Sequence, residues 1–145
     1  MIPIKPSDAI WTDEQWNAIY DKGHNIIVSA GAGSGKTAVL SERVIENLKS
    51  GMSIKEVLLL TFTKAASLEM KTRIRNKIKK NPSLSKELSL IDEAYITTFD
   101  SFALSIVKKY HYILNISPNV SIIDGSLIRI KKKEILKKKK QNTNK

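Results

Sequence analysis

Cysteine is absent from this sequence, which excludes a disulfide framework, a thiolate zinc site and a cysteine nucleophile, and suits a reducing compartment. Long apolar runs are absent too. The longest unbroken aliphatic stretch, Val57-Leu58-Leu59-Leu60, is far too short to span a bilayer. The first residues, with Pro3, Lys5, Pro6 and Asp8, lack the apolar core of a secretory signal, so a cytoplasmic location is expected. Acids are outnumbered, with 14 Asp and Glu against 25 Lys and Arg for a net charge of +11. Such an excess is the usual footprint of a nucleic-acid binder, but its placement argues against that reading. Residues 129–145 carry nine basic residues and one acid, so this tail holds +8 and residues 1–128 only +3. Within the body, Lys71, Arg73, Arg75, Lys77, Lys79 and Lys80 form a cluster with no intervening acid, equally a solvated helix face or a DNA-facing surface.

The 145 residues suffice for one domain with a core. The most informative stretch is Ser29-Ala30-Gly31-Ala32-Gly33-Ser34-Gly35-Lys36-Thr37, with the apolar Ile26-Ile27-Val28 ahead of it and a helical pattern behind. Small residues let successive backbone N–H groups turn inward around a phosphate, and the helix that follows adds its positive end. Lys36 is then placed to reach the β- and γ-phosphates, and the Thr37 hydroxyl to ligate Mg²⁺. Ala30 stands where the strict pattern has its first glycine, yet Gly31, Gly33 and Gly35 keep the loop permissive. The bland alternative is a glycine-rich turn without a ligand.

Along the chain, Thr12-Asp13-Glu14-Gln15 reads as a capping box opening a helix that Gly23 ends. A strand over Asn25–Ser29 is expected next, then the loop, then a helix from Lys36 to Ser50 with Leu40, Val44 and Leu48 on one stripe and Gly51 as its stop. Ser53 to Glu56 is a capped turn, and Val57 to Thr61 a strand of the buried, non-alternating type. A helix from Lys64 to Lys80 carries Ala66, Met70, Ile74 and Ile78, and Asn81-Pro82 stops it. Ser83 to Ile91 is weakly helical, Ala94 to Phe99 a third strand, Ser101 to Tyr112 a helix with Phe102, Ile106 and Tyr110 on one face, and Val120 to Ile123 a short fourth strand. This alternation means right-handed crossovers and a parallel α/β sheet flanked by helices. The Lys-rich residues 129–145 are expected to be a disordered tail.

Three further stretches stand in order around the loop: Trp11-Thr12-Asp13-Glu14-Gln15-Trp16-Asn17-Ala18-Ile19, then Leu60-Thr61-Phe62-Thr63-Lys64-Ala65-Ala66-Ser67-Leu68-Glu69-Met70, then Ile96-Thr97-Thr98-Phe99-Asp100-Ser101-Phe102. With the loop they resemble the Q motif and motifs I, Ia and Ib of UvrD-like superfamily 1 DNA helicases. The Trp-Thr-Asp-x-Gln-Trp opening and its Pro3-Ile4-Lys5-Pro6 leader are most similar to the AddA-type subunits of AddAB helicase–nucleases. The resemblance implies an incomplete P-loop, RecA-like motor domain over residues 1–128, using ATP and Mg²⁺ in double-strand-break repair and recombination. It implies ATP contacts from Gln15 at the adenine and from Ala30, Gly31, Ala32, Gly33, Ser34, Gly35, Lys36 and Thr37 at the phosphates, with Lys36 and Thr37 catalytic and Thr37 on the metal. Thr61, Phe62, Thr63, Lys64, Thr98 and Ser101 would hold single-stranded DNA, through hydroxyls on phosphate and an aromatic ring on a base. Partners implied are DNA, single-stranded and as duplex ends, and an AddB-type subunit. Trp11 would pack near the base or serve as a hydrophobic staple, and Phe99 and Phe102 would belong to the core.

Two departures from the family stand out. Lys64 replaces a usual Asn and adds positive charge near DNA, whereas Asp100 replaces a usual His and is better suited to capping the next helix. Leu90-Ile91-Asp92-Glu93-Ala94 imitates the acidic motif that holds Mg²⁺, but Ser85, Lys86, Glu87 and Ser89 interrupt the apolar strand such a motif needs. The expectation is therefore an N-terminal fragment, by truncation or frameshift, that binds ATP without being a competent motor. The rival from another class is a stand-alone basic nucleic-acid-binding protein. A nucleoside kinase would need an acceptor site and a lid, for which the sequence offers no support.

Overall fold

The computed structural model describes residues 2–123 and 125–143, with side chains described as far as residue 136. Two compact units divide the chain, Met1–Phe99 and Asp100–Lys145, a boundary earlier than the 128/129 division read from composition.

In the first unit, the expected capping box opens α1 (Asp13–Tyr20). The Thr12 hydroxyl accepts from the Gln15 N–H at 3.2 Å, and the Gln15 side chain accepts from the Thr12 N–H at 3.0 Å. The helix stops at Tyr20, ahead of Gly23, with no basic residue in its last turn. Arg43 of α2 (Lys36–Lys49) supplies the missing cation, donating to the carbonyls of Ala18 at 2.8 Å and Ile19 at 3.4 Å. Gly51, at φ +97, ends α2 as expected: its N–H returns to the Leu48 carbonyl at 3.0 Å and the Met52 N–H to Asn47 at 3.2 Å.

A capped single 3₁₀ turn, Ile54–Glu56, leads into β1 (Leu58–Thr61). The chain continues through α3 (Lys64–Lys79), α4 (Ser85–Leu90) and β2 (Tyr95–Thr98). The strands pair in parallel from Leu58 opposite Tyr95 to Thr61 opposite Thr98. Helix α3 is the central element, packed against α2, α4 and both strands. Its Met70, Ile74 and Ile78 are buried with Val44, Ile45 and Leu48 of α2 and with Leu59 and Ile96 of the sheet. Ala66 and Leu40, the first members of the two predicted stripes, are exposed instead. A strict i+4 row drifts about 40° around a helix at each step, so the first member of each row falls off the face that buries the later ones.

Two expected strands are corrected. Asn25–Ser29 is irregular and joins no ladder among the described residues, and Ile27 is 97% and Val28 53% exposed. Strand status needs a neighbour to take its N–H and C=O groups, and the two-stranded sheet pairs only β1 with β2. Val120–Ile123 is likewise unpaired. The apolar run in β1 does not make it buried on both faces: Leu59 is buried while Leu58 is 48% exposed.

In the second unit, α5 (Phe99–Lys109) begins on the last residue of the first and ends before the predicted Tyr112. A turn follows, in which Asn115 takes φ +50 and the His111 ring Nδ1 lies 3.1 Å from the Ile116 carbonyl oxygen. The Lys-rich segment, expected to be disordered, is helical in α6 (Gly125–Thr143), and its described side chains from Arg129 to Leu136 are exposed. Residues 144 and 145 lie outside the described residues. Among the described residues, no helix is long and apolar enough to cross a membrane.

Because Ile74 is fully buried at the centre of the α2–α3–sheet core, Ile74→Ala should cost about 2–5 kcal/mol. Urea unfolding checks this as a lowered midpoint at unchanged slope.

Candidate phosphate loop and strand-end surface

The loop takes the shape its residues allow. Gly33 and Gly35 adopt φ of +77 and +84, where L side chains are strained. Gly35 is also the residue that opens α2, and it brings no side chain to cap the helix. The first N–H groups of α2 therefore have no side-chain acceptor from that position, which is the arrangement an anion can use. Within the loop, the Ser34 hydroxyl and N–H both return to the Gly31 carbonyl, at 2.8 and 3.4 Å. The Lys36 ammonium folds over the same segment, donating to the carbonyls of Ala30 at 2.7 Å and Gly31 at 2.5 Å.

A cavity of about 770 Å³ opens beside the loop. Of the residues expected to hold ATP, Gln15, Ala30, Gly33, Ser34, Gly35 and Lys36 line it; Gly31, Ala32 and Thr37 are exposed without lining it. Gln15 does complete the capping box, and its amide N–H also donates to the Ser34 carbonyl at 3.0 Å. The sequence reading missed Glu14, Leu40 and Arg43, which also line the cavity. For two of them the signal was spacing, since Lys36, Leu40 and Arg43 recur at i, i+4 and i+7 along one face of α2. Glu14 stays ionised easily, because its own backbone N–H and then the Thr12 hydroxyl hold its carboxyl below the usual range. Trp11 does not line the cavity; the Lys77 ammonium lies 5.9 Å from its ring centroid.

At the carboxyl end of the sheet, Thr61 donates to the Thr63 carbonyl at 3.0 Å, and Thr63 caps α3 by accepting from the Ala66 N–H at 3.1 Å. Phe62 is 93% exposed. Phe99, expected in the core, is 54% exposed and stands 6.0 Å from Phe62 between ring centroids. It is the last residue of its unit, just past β2. Lys64 is exposed and Thr98 buried. Ser101, in the second unit, lies in the first turn of α5 with Asp100, whose charge suits that end of the helix.

Residues 11–145 match the family described as the UvrD/REP helicase N-terminal domain. The chain belongs to the UvrD/REP helicase family. An AddA-type ATP-dependent helicase/nuclease subunit from Lysinibacillus sphaericus (strain C3-41) is 43% identical over 145 residues, 93% of this chain and 12% of the relative. Its counterpart from Anoxybacillus flavithermus (strain DSM 21510 / WK1) is 42% identical over 146 residues, again 12% of its length. That of Listeria innocua serovar 6a is 43% identical over 141 residues, 11% of its length. This chain thus spans about one-eighth of these relatives, and the AddA-type resemblance read from its motifs is borne out.

In this UvrD/REP domain the Asp92-Glu93 pair follows a helix, α4, and not a strand. Its carboxylates are engaged elsewhere: Asp92 pairs with Arg75 at 2.6 Å and Lys71 at 3.0 Å, and Glu93 with Lys55 at 2.7 Å. The basic stretch of α3 is correspondingly occupied, since Arg73 pairs with Glu69 at 3.0 Å and Lys77 with Glu42 of α2. Asp92 and Glu42, distant in sequence, and Glu69, one turn away, thus pair with four of the six cations of a run that looked unopposed, which favours the solvated-face reading. The Lys71 hydrogen bond, aided by Arg75, holds the Asp92 carboxyl below its ordinary range. A depressed carboxylate pKa contributes stability above the unfolded value and loses it as pH falls through the folded one. Asp92→Asn should therefore lower Tm slightly at neutral pH, with the two Tm curves converging in acid; parallel curves down to about pH 3 would contradict the pairing.

Proposed function

We propose that the chain supplies the ATP-binding part of an AddA-type, ATP-dependent DNA helicase–nuclease that works in double-strand-break repair and recombination in the cytoplasm. The reading is of a partial RecA-like P-loop domain. The carrying observation is the loop itself: two left-handed glycines deliver the chain into a helix start with no side-chain cap, beside a cavity lined by Lys36 and Arg43. A triphosphate fits that donor set, because cations and backbone N–H groups converge there with a single nearby acid, Glu14. Lys36 would leave the Ala30 and Gly31 carbonyls for the β- and γ-phosphates, and the Thr37 hydroxyl would hold Mg²⁺. Gln15 has one amide N–H and part of its carbonyl capacity unused after its contacts to Ser34 and Thr12, enough to read an adenine edge. The metal would supply charge neutralisation between phosphates.

Single-stranded DNA is assigned to the carboxyl end of the sheet. The Phe62–Phe99 pair offers exposed aromatic surface for a base, and Thr61, Thr63, Lys64 and Thr98 are the residues proposed for the backbone. The partners of the whole protein would be duplex ends and an AddB-type subunit. Turnover needs a complete set of positioned charges, and the acids Asp92 and Glu93 are held away in ion pairs.

Lys36→Ala should abolish ATP binding in isothermal titration; unchanged affinity would remove the phosphate-loop reading. A phosphate-release assay on the 145-residue chain should show no DNA-stimulated turnover above background. Phe62→Ala should weaken single-strand binding by about 1–3 kcal/mol in fluorescence anisotropy. Removing residues 129–145 should matter less. The reverse order, with steep salt dependence lost along with the tail, would support the stand-alone basic binder instead.

A further inference from the structure

The phosphate loop is poorly held from its amino-terminal side. Residues 25–30 join no ladder among the described residues, and the Ser34 and Lys36 contacts close on the loop itself. A contact from a different element comes from Gln15 on α1, whose Nε2 donates to the Ser34 carbonyl at 3.0 Å. The two ends of this amide are assigned by their partners: the Thr12 N–H can meet only the oxygen, so the nitrogen faces Ser34. The approach is close. A Cβ on Gly35 would lie 3.2 Å from that nitrogen.

A trans peptide is planar, with its C=O and N–H on opposite sides. Holding the Ser34 carbonyl toward Gln15 therefore turns the Gly35 N–H the other way. Gly35 can follow because its φ of +84 is open to glycine. We propose that Gln15 is a positioning residue of the phosphate loop: from the capped first turn of α1 it fixes the Ser34–Gly35 peptide so that the Gly35 N–H faces the phosphate side. This inference rests on the phosphate-loop reading above and adds to the base-reading role a second one that is independent of the base.

Gln15→Glu separates the two halves of the arrangement. A carboxylate at this position still accepts from the Thr12 N–H and suits the helix start, so α1 and the fold are kept. It cannot donate to the Ser34 carbonyl, and two acceptors face each other there. The full 145-residue chain would be titrated with Mg²⁺–tripolyphosphate, which has no base, and with Mg²⁺–ATP. Loss of one loop-ordering hydrogen bond should weaken both about five- to tenfold in Gln15→Glu. Tripolyphosphate affinity unchanged while ATP weakens would mean that Gln15 reads only the base, and would overturn the proposal. A ligand-free arm stands beside this. In ¹⁵N-resolved spectra the Gly35 and Lys36 amides should shift in Gln15→Glu while those of Ile19 and Tyr20 stay; unmoved loop amides would also overturn it. Should the parent chain bind neither ligand, the phosphate-loop reading falls, and the loop amides still decide whether Gln15 holds the Ser34–Gly35 peptide.

Discussion

Burial of one stripe of α3 is the constraint on which the first unit depends. Met70, Ile74 and Ile78 meet α2 on one side and the two strands on the other, so a single helix links the element that follows the candidate phosphate loop to the strands that carry Thr61 and Thr98. Apolar burial of this kind is non-directional and sums over area. Directional bonds then set the detail at the edges. Arg43 ties the carbonyl end of α1 to α2, and Glu87 of α4 accepts from the Ile54 N–H at 2.7 Å, docking α4 on the turn before β1. Relative placement of the loop and the strand ends thus follows from hydrophobic contact, and the orientation of individual peptides follows from hydrogen bonds.

Elements whose signals are local were legible in the sequence. The Thr12–Gln15 and Ser53–Glu56 capping boxes, the Gly51 stop and the Asn81-Pro82 break each depend on neighbours within a few residues, and each stands where it was read. Strands were less legible because pairing is not a local property. Tyr95–Thr98 and Leu58–Thr61 find one another and become a ladder. Ile26-Ile27-Val28, with equally good strand chemistry, joins no ladder among the described residues and stays irregular. The Lys-rich segment, read from its charge as a disordered tail, falls in the helical span Gly125–Thr143, and lysine is a good helix former.

Electrostatics showed the same divide. The basic run of α3 contains no acid in its own sequence, yet Asp92 and Glu42 reach it from distant elements. Only the folded arrangement reveals that pairing. At the candidate site, six of the nine residues read from the glycine-rich pattern and the capping box line the cavity, and the helix that follows adds Leu40 and Arg43 by its own periodicity. The engagement of Gln15 with Ser34 had no signal in sequence, because it joins residues 19 apart through a side chain already used in a cap.

The unladdered arm ahead of the loop has a consequence for how the molecule breathes. Among the described residues no strand pairs with residues 25–30, whereas α3 packs one face into the core. Segments outside the ladder and core are expected to open more readily than the core helix. The loop's leading arm has no ladder to brace it among the described residues, and ligand capture there would stiffen a segment held by few contacts of its own.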